Sequence, residues 1–180
     1  MEKTPTDFVR TLGLPFLAHI LRRISDRMVA DAGEFEAERG IRAPPRTAST
    51  MLLLRMRGPQ SVTAIADQLR QSHPLVISWI KQLRELGFVT RSSDSKDRRR
   101  TVITLTPAGV EEADRMAAMS PIIGKAYEIV MAEADVELFD GLWRLYDLLA
   151  QGRLAEHLRY LGDQAPGAFD SRESATSPDA

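Results

Sequence analysis

The chain contains no cysteine among its 180 residues. That absence removes disulfides, thiolate metal sites and cysteine redox sensing in one step. Histidine is scarce: His19, His73 and His157 lie far apart and never form the H-E-x-x-H spacing of a zinc hydrolase. The sequence also lacks a P-loop, a dinucleotide fingerprint and a G-x-S-x-G elbow. No catalytic residues, metal site or cofactor are therefore expected. No apolar run reaches the ~18 residues of a membrane span, and the N-terminus lacks a signal-peptide pattern. The expectation is a cytoplasmic protein with no membrane partner.

Net charge is nearly absent as well, at −1, but the average conceals a split. Lys81 to Arg100 holds seven basic against three acidic residues, a balance of +4. Glu111 to Asp140 holds two basic against eight acidic, a balance of −6. A basic face on an acidic body would orient the molecule on a polyanion, although runs of like charge also mark any solvated face. The remaining composition, 43% hydrophobic and 27% charged, is that of a globular protein of one domain with an extension.

Helical spacing of Phe8, Leu12, Phe16, Ile20, Ile24 and Met28 predicts a long N-terminal helix. Gly13 and Pro15 should interrupt it, and Gly40 should end it with Ile41 as the apolar residue beyond the cap. The Glu34–Arg39 stretch should face water. Pro44-Pro45 open a second helix, rich in Met51, Leu52, Leu53 and Leu54, which Gly58-Pro59 stop.

Ser61 to Gly109 is the stretch around which the rest is organised. Ser61 is placed to cap a helix over Val62–Arg70, with Ile65, Ala66 and Leu69 inward. Ser72 should cap the next helix with Pro74 in its first turn, and the inner stripe is Val76, Ile80, Leu83 and Leu86. Trp79, beside that stripe, reads as packing. After Gly87 the period becomes strand-like: Phe88–Arg91, a polar turn over Ser92–Asp97, then Thr101–Leu105. In the second strand Thr101, Ile103 and Leu105 should share one face. Thr106-Pro107 then cap a long helix reaching about Val130, with a kink expected at Pro121. A last helical region, carrying Phe139, Trp143 and Tyr146, should be split near Gly152. The Gly162–Ala180 tail has the composition of a disordered segment.

Helix, turn, helix and basic hairpin make a winged helix-turn-helix. The fold class is mainly α with a small β-hairpin wing. The expected organisation is an N-terminal dimerisation helix over 7–40 and a DNA-binding domain over 41–109. C-terminal dimerisation helices follow over 110–161, then a tail over 162–180. Phe8, Leu12, Phe16, Phe139, Trp143 and Tyr146 are too many large apolar groups to leave wet, which favours a homodimer over a bundle within one chain.

The second helix of the motif would enter the major groove by its N-terminal end. Ser72, His73, Pro74, Leu75, Ser78 and Lys81 are the candidate contacts there. None of the long bidentate readers (Arg, Asn, Gln) stands in its first two turns, so specificity would lean on DNA shape. Arg91, Lys96, Arg98, Arg99 and Arg100 in the hairpin suit the minor groove and its flanking phosphates. Asp97 reads as an internal brace of the turn.

Gly87-Phe88-Val89-Thr90-Arg91, Asp94, Asp97-Arg98-Arg99 and Leu105-Thr106-Pro107-Ala108-Gly109 together resemble the wing signature of the MarR (multiple antibiotic resistance regulator) family. The likeness extends to Ser61–Ala66 and Ser72–Val76, and in pattern over about 14–149. Ile77 and Ser78 depart from the polar residues frequent there. The resemblance implies a homodimeric winged-helix transcriptional regulator of double-stranded DNA, often a repressor of a palindromic operator released by a small-molecule effector. It also implies that Asp97 and Arg99 shape the wing. His19, Arg23, Met51, Arg55 and Trp143 would be candidates for lining an effector crevice. The rival reading is a winged helix used as a protein-interaction module without specific DNA binding.

Overall fold

Glycine and proline set where the helices stop and start. The computed structural model describes residues 7–93 and 101–165. Helix α1 (Phe8–Leu12) ends at Gly13, and a 3-10 turn over Leu14–Phe16 leads into α2 (Leu17–Glu38). Gly40 takes φ 75°, with its N–H donating to Ala37 O and that of Ile41 to Glu36 O. This is the Schellman closure expected of Gly40, and Ile41 is buried. A 3-10 turn over Pro45–Thr47 opens α3 (Ala48–Arg57), which Gly58 ends. Then come α4 (Val62–Leu69), α5 (His73–Glu85), β1 (Val89–Ser93), β2 (Thr101–Leu105) and α6 (Pro107–Glu133). α6 continues through Pro121 as one helix.

The chain divides inside α6 into two units, one ending at Lys125 and one beginning at Ala126. The first holds the core. Met51 and Leu54 of α3, Ile65 and Ala66 of α4, and Val76, Ile80 and Leu83 of α5 pack with Phe88, Ile103 and, from α6, Ala113 and Met116. Trp79 and Leu69 pack partly buried against this cluster. The second unit contains α7 (Leu138–Ala150) and α8 (Arg153–Asp163), joined through Gly152 at φ 79°. In α7 the rings of Phe139, Trp143 and Tyr146 meet edge to face, at centroid distances of 6.5 and 5.9 Å. Gly162 and Asp163, expected in the disordered tail, close α8 instead; residues 166–180 lie outside the described residues.

Several expectations need correction. Leu86 is exposed, because it caps α5 and the chain reverses at Gly87. Phe88 takes the core place that Leu86 was expected to fill. β1 starts at Val89 rather than Phe88, and runs two residues into the expected turn. In β2 both Val102 and Ile103 are buried, so the strand is covered on two faces. Its far edge is also paired: Gln60 N–H donates to Ile103 O and Ile103 N–H to Gln60 O, at 3.1 and 2.7 Å. β2 thus lies between β1 and this one-residue bridge.

The largest departure concerns Glu36, expected to face water and only 5% exposed. Its Oε2 has no hydrogen-bond partner. Nearby Glu112 of α6 is fully buried, accepts from the backbone N–H groups of Arg42 and Ala43, and pairs with Arg115. Burial alone would raise the Glu112 pKa, but Arg115 and the two N–H groups hold it below the ordinary carboxylate value. Glu36 has no such partners. Burial first, and the Glu112 charge second, push its pKa up. In the fold Glu36 therefore holds a proton more readily than an unfolded carboxyl near 4.5, so its contribution to stability is full below that value. That contribution is lost as pH rises through the folded-state value. Glu36→Gln is predicted to remove the loss, so its melting temperature should exceed wild type at about pH 8 and converge toward it at about pH 4.

The wing is seated by a close approach. A Cβ on Gly109 would lie 1.9 Å from Phe88 O and 2.8 Å from Phe88 C. Gly109→Ala must push the start of α6 off the β1 entrance, at a cost of at least about 3 kcal/mol in urea unfolding.

Candidate nucleic-acid interface

α4 and α5 form the helix-turn-helix. Ser61 Oγ accepts from Ala64 N–H at 3.1 Å, which fixes the start of α4. Ser72 occupies the corresponding position before α5, in extended backbone at φ −68° and ψ 144°, but its side chain makes no cap bond. Pro74 in the first turn needs no hydrogen-bond partner, as the missing N–H would be one of the helix's free donors. The hydroxyl of Ser72 and the first N–H groups of α5 are thus not used to satisfy each other.

α5 is held from inside and open outside. Val76, Ile80 and Leu83 are buried, while Ser72, His73, Pro74, Leu75, Ile77, Ser78 and Lys81 are all exposed. Leu75 and Ile77, at 39% and 50% exposure, are apolar groups of the kind that meet thymine methyls. Lys81 stands 4.0 Å from Glu85 one turn on. Such an exposed pair contributes little to stability and leaves the ammonium available to a phosphate.

Beyond α5 the hairpin is anchored to the same core. Gly87 and Phe88 close α5 through N–H bonds to Arg84 O and Leu83 O. Thr106 then does three things at once. Its N–H donates to Phe88 O, its hydroxyl donates to Gly87 O at 2.6 Å, and its Oγ accepts from Gly109 N–H at 3.0 Å. Thr106, Pro107 and Gly109 therefore supply the cap, the first turn and the close contact that lock the hairpin base onto α6. In β1, Arg91 lies opposite Ile103 in the antiparallel register and is exposed. Lys96, Asp97, Arg98, Arg99 and Arg100 lie outside the described residues.

The proposed crevice residues each have local surroundings of their own. Met51 is core. Arg23 pairs with Asp7, and Arg55 forms a two-pronged contact with Asp114 at 2.7 and 3.2 Å. The Asp114 carboxylate raises the Arg55 pKa further. His19 is exposed, and Trp143 stacks edge-on within the second unit. Among the described residues no cluster of acidic or histidine side chains has the composition to hold a metal ion. Likewise no described helix is long and apolar enough to cross a membrane.

Residues 45–101 match the family model described as MarR family, a segment running from the turn before α3 to the first residue of β2. Over this segment, which holds the helix-turn-helix and β1, the chain is similar to the MarR family. No curated protein matches the sequence. Among solved structures, it is similar to a probable transcriptional regulator from Pseudomonas aeruginosa. The two share 24% identity over 75% of this chain and 95% of that one, with a TM-score of 0.53. MepR of S. aureus, solved in complex with DNA, is similar at 20% identity, 75% and 97% coverage and a TM-score of 0.57. BpsR of Bordetella bronchiseptica, whose DNA binding is regulated by 6-hydroxynicotinic acid, is similar at 25% identity. That likeness covers 61% of this chain and 77% of BpsR, with a TM-score of 0.50.

The unequal use of the two serines has a measurable consequence. Ser61→Ala should lose ~1 kcal/mol of stability with its cap bond, whereas Ser72→Ala should stay within ~0.5 kcal/mol of wild type. Urea unfolding of the two variants checks the difference.

Proposed function

We propose that the chain is a DNA-binding transcriptional regulator working as a homodimer, and a repressor of a palindromic operator relieved by a small-molecule effector. The observation that carries this reading is α5 itself. Its inner stripe is locked in the core while its N-terminal, outward side chains are all left in water. In a MarR-family winged helix, that is the surface offered to the major groove. Ser72 and His73 would meet phosphate or base acceptors, Ser78 would contact either, and Leu75 and Pro74 would pack on the groove floor. Lys81 and Arg91 would pair with phosphates, and Lys96, Arg98, Arg99 and Arg100 would reach the adjacent minor groove with Asp97 bracing the turn.

The dimer is supported by what one chain leaves uncovered. Phe8, Phe139 and Trp143 are each more than half exposed, and Phe16 and Tyr146 are exposed nearly as far. A second copy would cover such groups over 7–40 and 110–161. It would also set two α5 helices about one DNA turn apart, ~34 Å. An effector acting on this dimer would need only to change that spacing to release the operator.

Binding to duplex DNA from the chain's own upstream region, followed across salt concentration, tests the reading. Affinity should fall steeply with salt. The triple change Arg98→Ala, Arg99→Ala and Arg100→Ala should lower the slope of log affinity against log salt by about 0.9 for each phosphate contact removed. Salt-insensitive binding, or none, would instead favour a protein-interaction module. A strict monomer in solution at micromolar concentration would exclude the palindromic arrangement.

A further inference from the structure

The residue that ends α4 stands in a backbone conformation that its side chain makes costly. Arg70 has φ 52° and ψ 42°, in the left-handed region, where a Cβ crowds the following carbonyl. Glycine fits that position best, and asparagine next. Only one other described residue besides glycine has a positive φ, Asp135, whose short polar side chain tolerates it. Arg70 has no such excuse.

The fold uses only the backbone of residue 70. Its N–H donates to Ala66 O and Asp67 O, and the next N–H, of Gln71, donates to Ala66 O at 2.9 Å. The side chain is exposed and enters no ion pair or hydrogen bond among the described residues, even with Asp67 three positions earlier. Arg23, Arg27, Arg46, Arg55 and Arg115 pair with carboxylates. Arg70, like Arg57, Arg84 and Arg91, pairs with none among the described residues, and of these four only Arg70 has a positive φ. An unpaired guanidinium thus occupies a position where it weakens the fold. Only Gln71 and Ser72 separate it from the first residue of α5, a span of at most ~11 Å between Cα atoms.

We propose that Arg70 is a phosphate clamp, its guanidinium gripping a DNA backbone phosphate beside the groove that α5 enters. This rests on the DNA-binding reading above and adds to it a contact in the turn between the helices. A guanidinium presents a planar fork of donors that matches two phosphate oxygens, and a contact of this kind sets the depth of α5 without reading sequence. Strain at Arg70 is then retained for binding rather than for folding.

The test uses the full chain, a duplex from its upstream region, a scrambled duplex of equal length, and a series of salt concentrations. Arg70→Gly and Arg70→Asn should weaken binding to both duplexes by on the order of tenfold and lower the salt slope by about 0.9 per bound half-site. Arg70→Lys, which keeps the charge, should restore the slope. The melting temperature of Arg70→Gly should equal or exceed wild type. Unchanged affinity and slope in the Gly and Asn variants, with wild type binding normally, would overturn the clamp. So would a loss confined to the specific duplex, or a lower melting temperature in Arg70→Gly. Failure of the wild type to bind either duplex would overturn the DNA-binding reading itself, and the clamp with it.

Discussion

The structure depends on the crossing of Phe88 and Gly109. There the backbone entering β1 and the first turn of α6 approach so closely that no methyl group fits between them. Thr106 bridges the same point with its backbone and both functions of its hydroxyl. Phe88 also closes α5 through Leu83 O and fills the core with its ring. Helix, hairpin and α6 therefore share one residue. Any shift of the hairpin relative to α5 must disturb a fully buried phenylalanine and two backbone hydrogen bonds together.

One turn further along α6, Glu112 performs a second tie. Its carboxylate collects the N–H groups of Arg42 and Ala43, in the segment that carries the chain from α2 to α3. A buried carboxylate is costly unless its oxygens are satisfied, and here backbone donors and Arg115 satisfy them. Glu36 lies close to the same charge without donors of its own, which makes the end of α2 the less settled side of this junction. The two ties place the structural cost inside the molecule. They leave the outward side chains at the start of α5, and that of Arg70 in the turn before it, outside the packing of the core.

That division explains what could be read from residues alone. Punctuation was legible: Gly40, Gly58, Gly87 and Gly152 end or separate elements where expected, because left-handed backbone and glycine go together. The cap at Ser61 and the Thr106-Pro107 start of α6 were equally local, and were read correctly. Features that depend on partners distant in sequence were not. A glutamate in a polar run carries no mark of burial, so Glu36 was expected in water. Gln60 gives no strand period over a single residue, so its bridge to Ile103 went unseen. Gly109 was noticed only as part of a motif, since the carbonyl it accommodates lies twenty-one residues earlier in the chain. Arg70 escaped because an arginine at a helix end is ordinary in sequence; only its dihedral angles make it unusual. His73, Pro74, Leu75, Ser78 and Lys81 of α5 are exposed as expected, since the inner stripe of a helix determines its outer face.

The central claim is that the outer face of α5 and the hairpin together form the surface that meets DNA. Amide hydrogen exchange with and without the upstream duplex tests it most directly. Added protection should appear at the start of α5, across the turn containing Arg70 and in β1 and β2, with α3 and the core little changed. Protection confined to α7 and α8, or none on adding duplex, would contradict the claim.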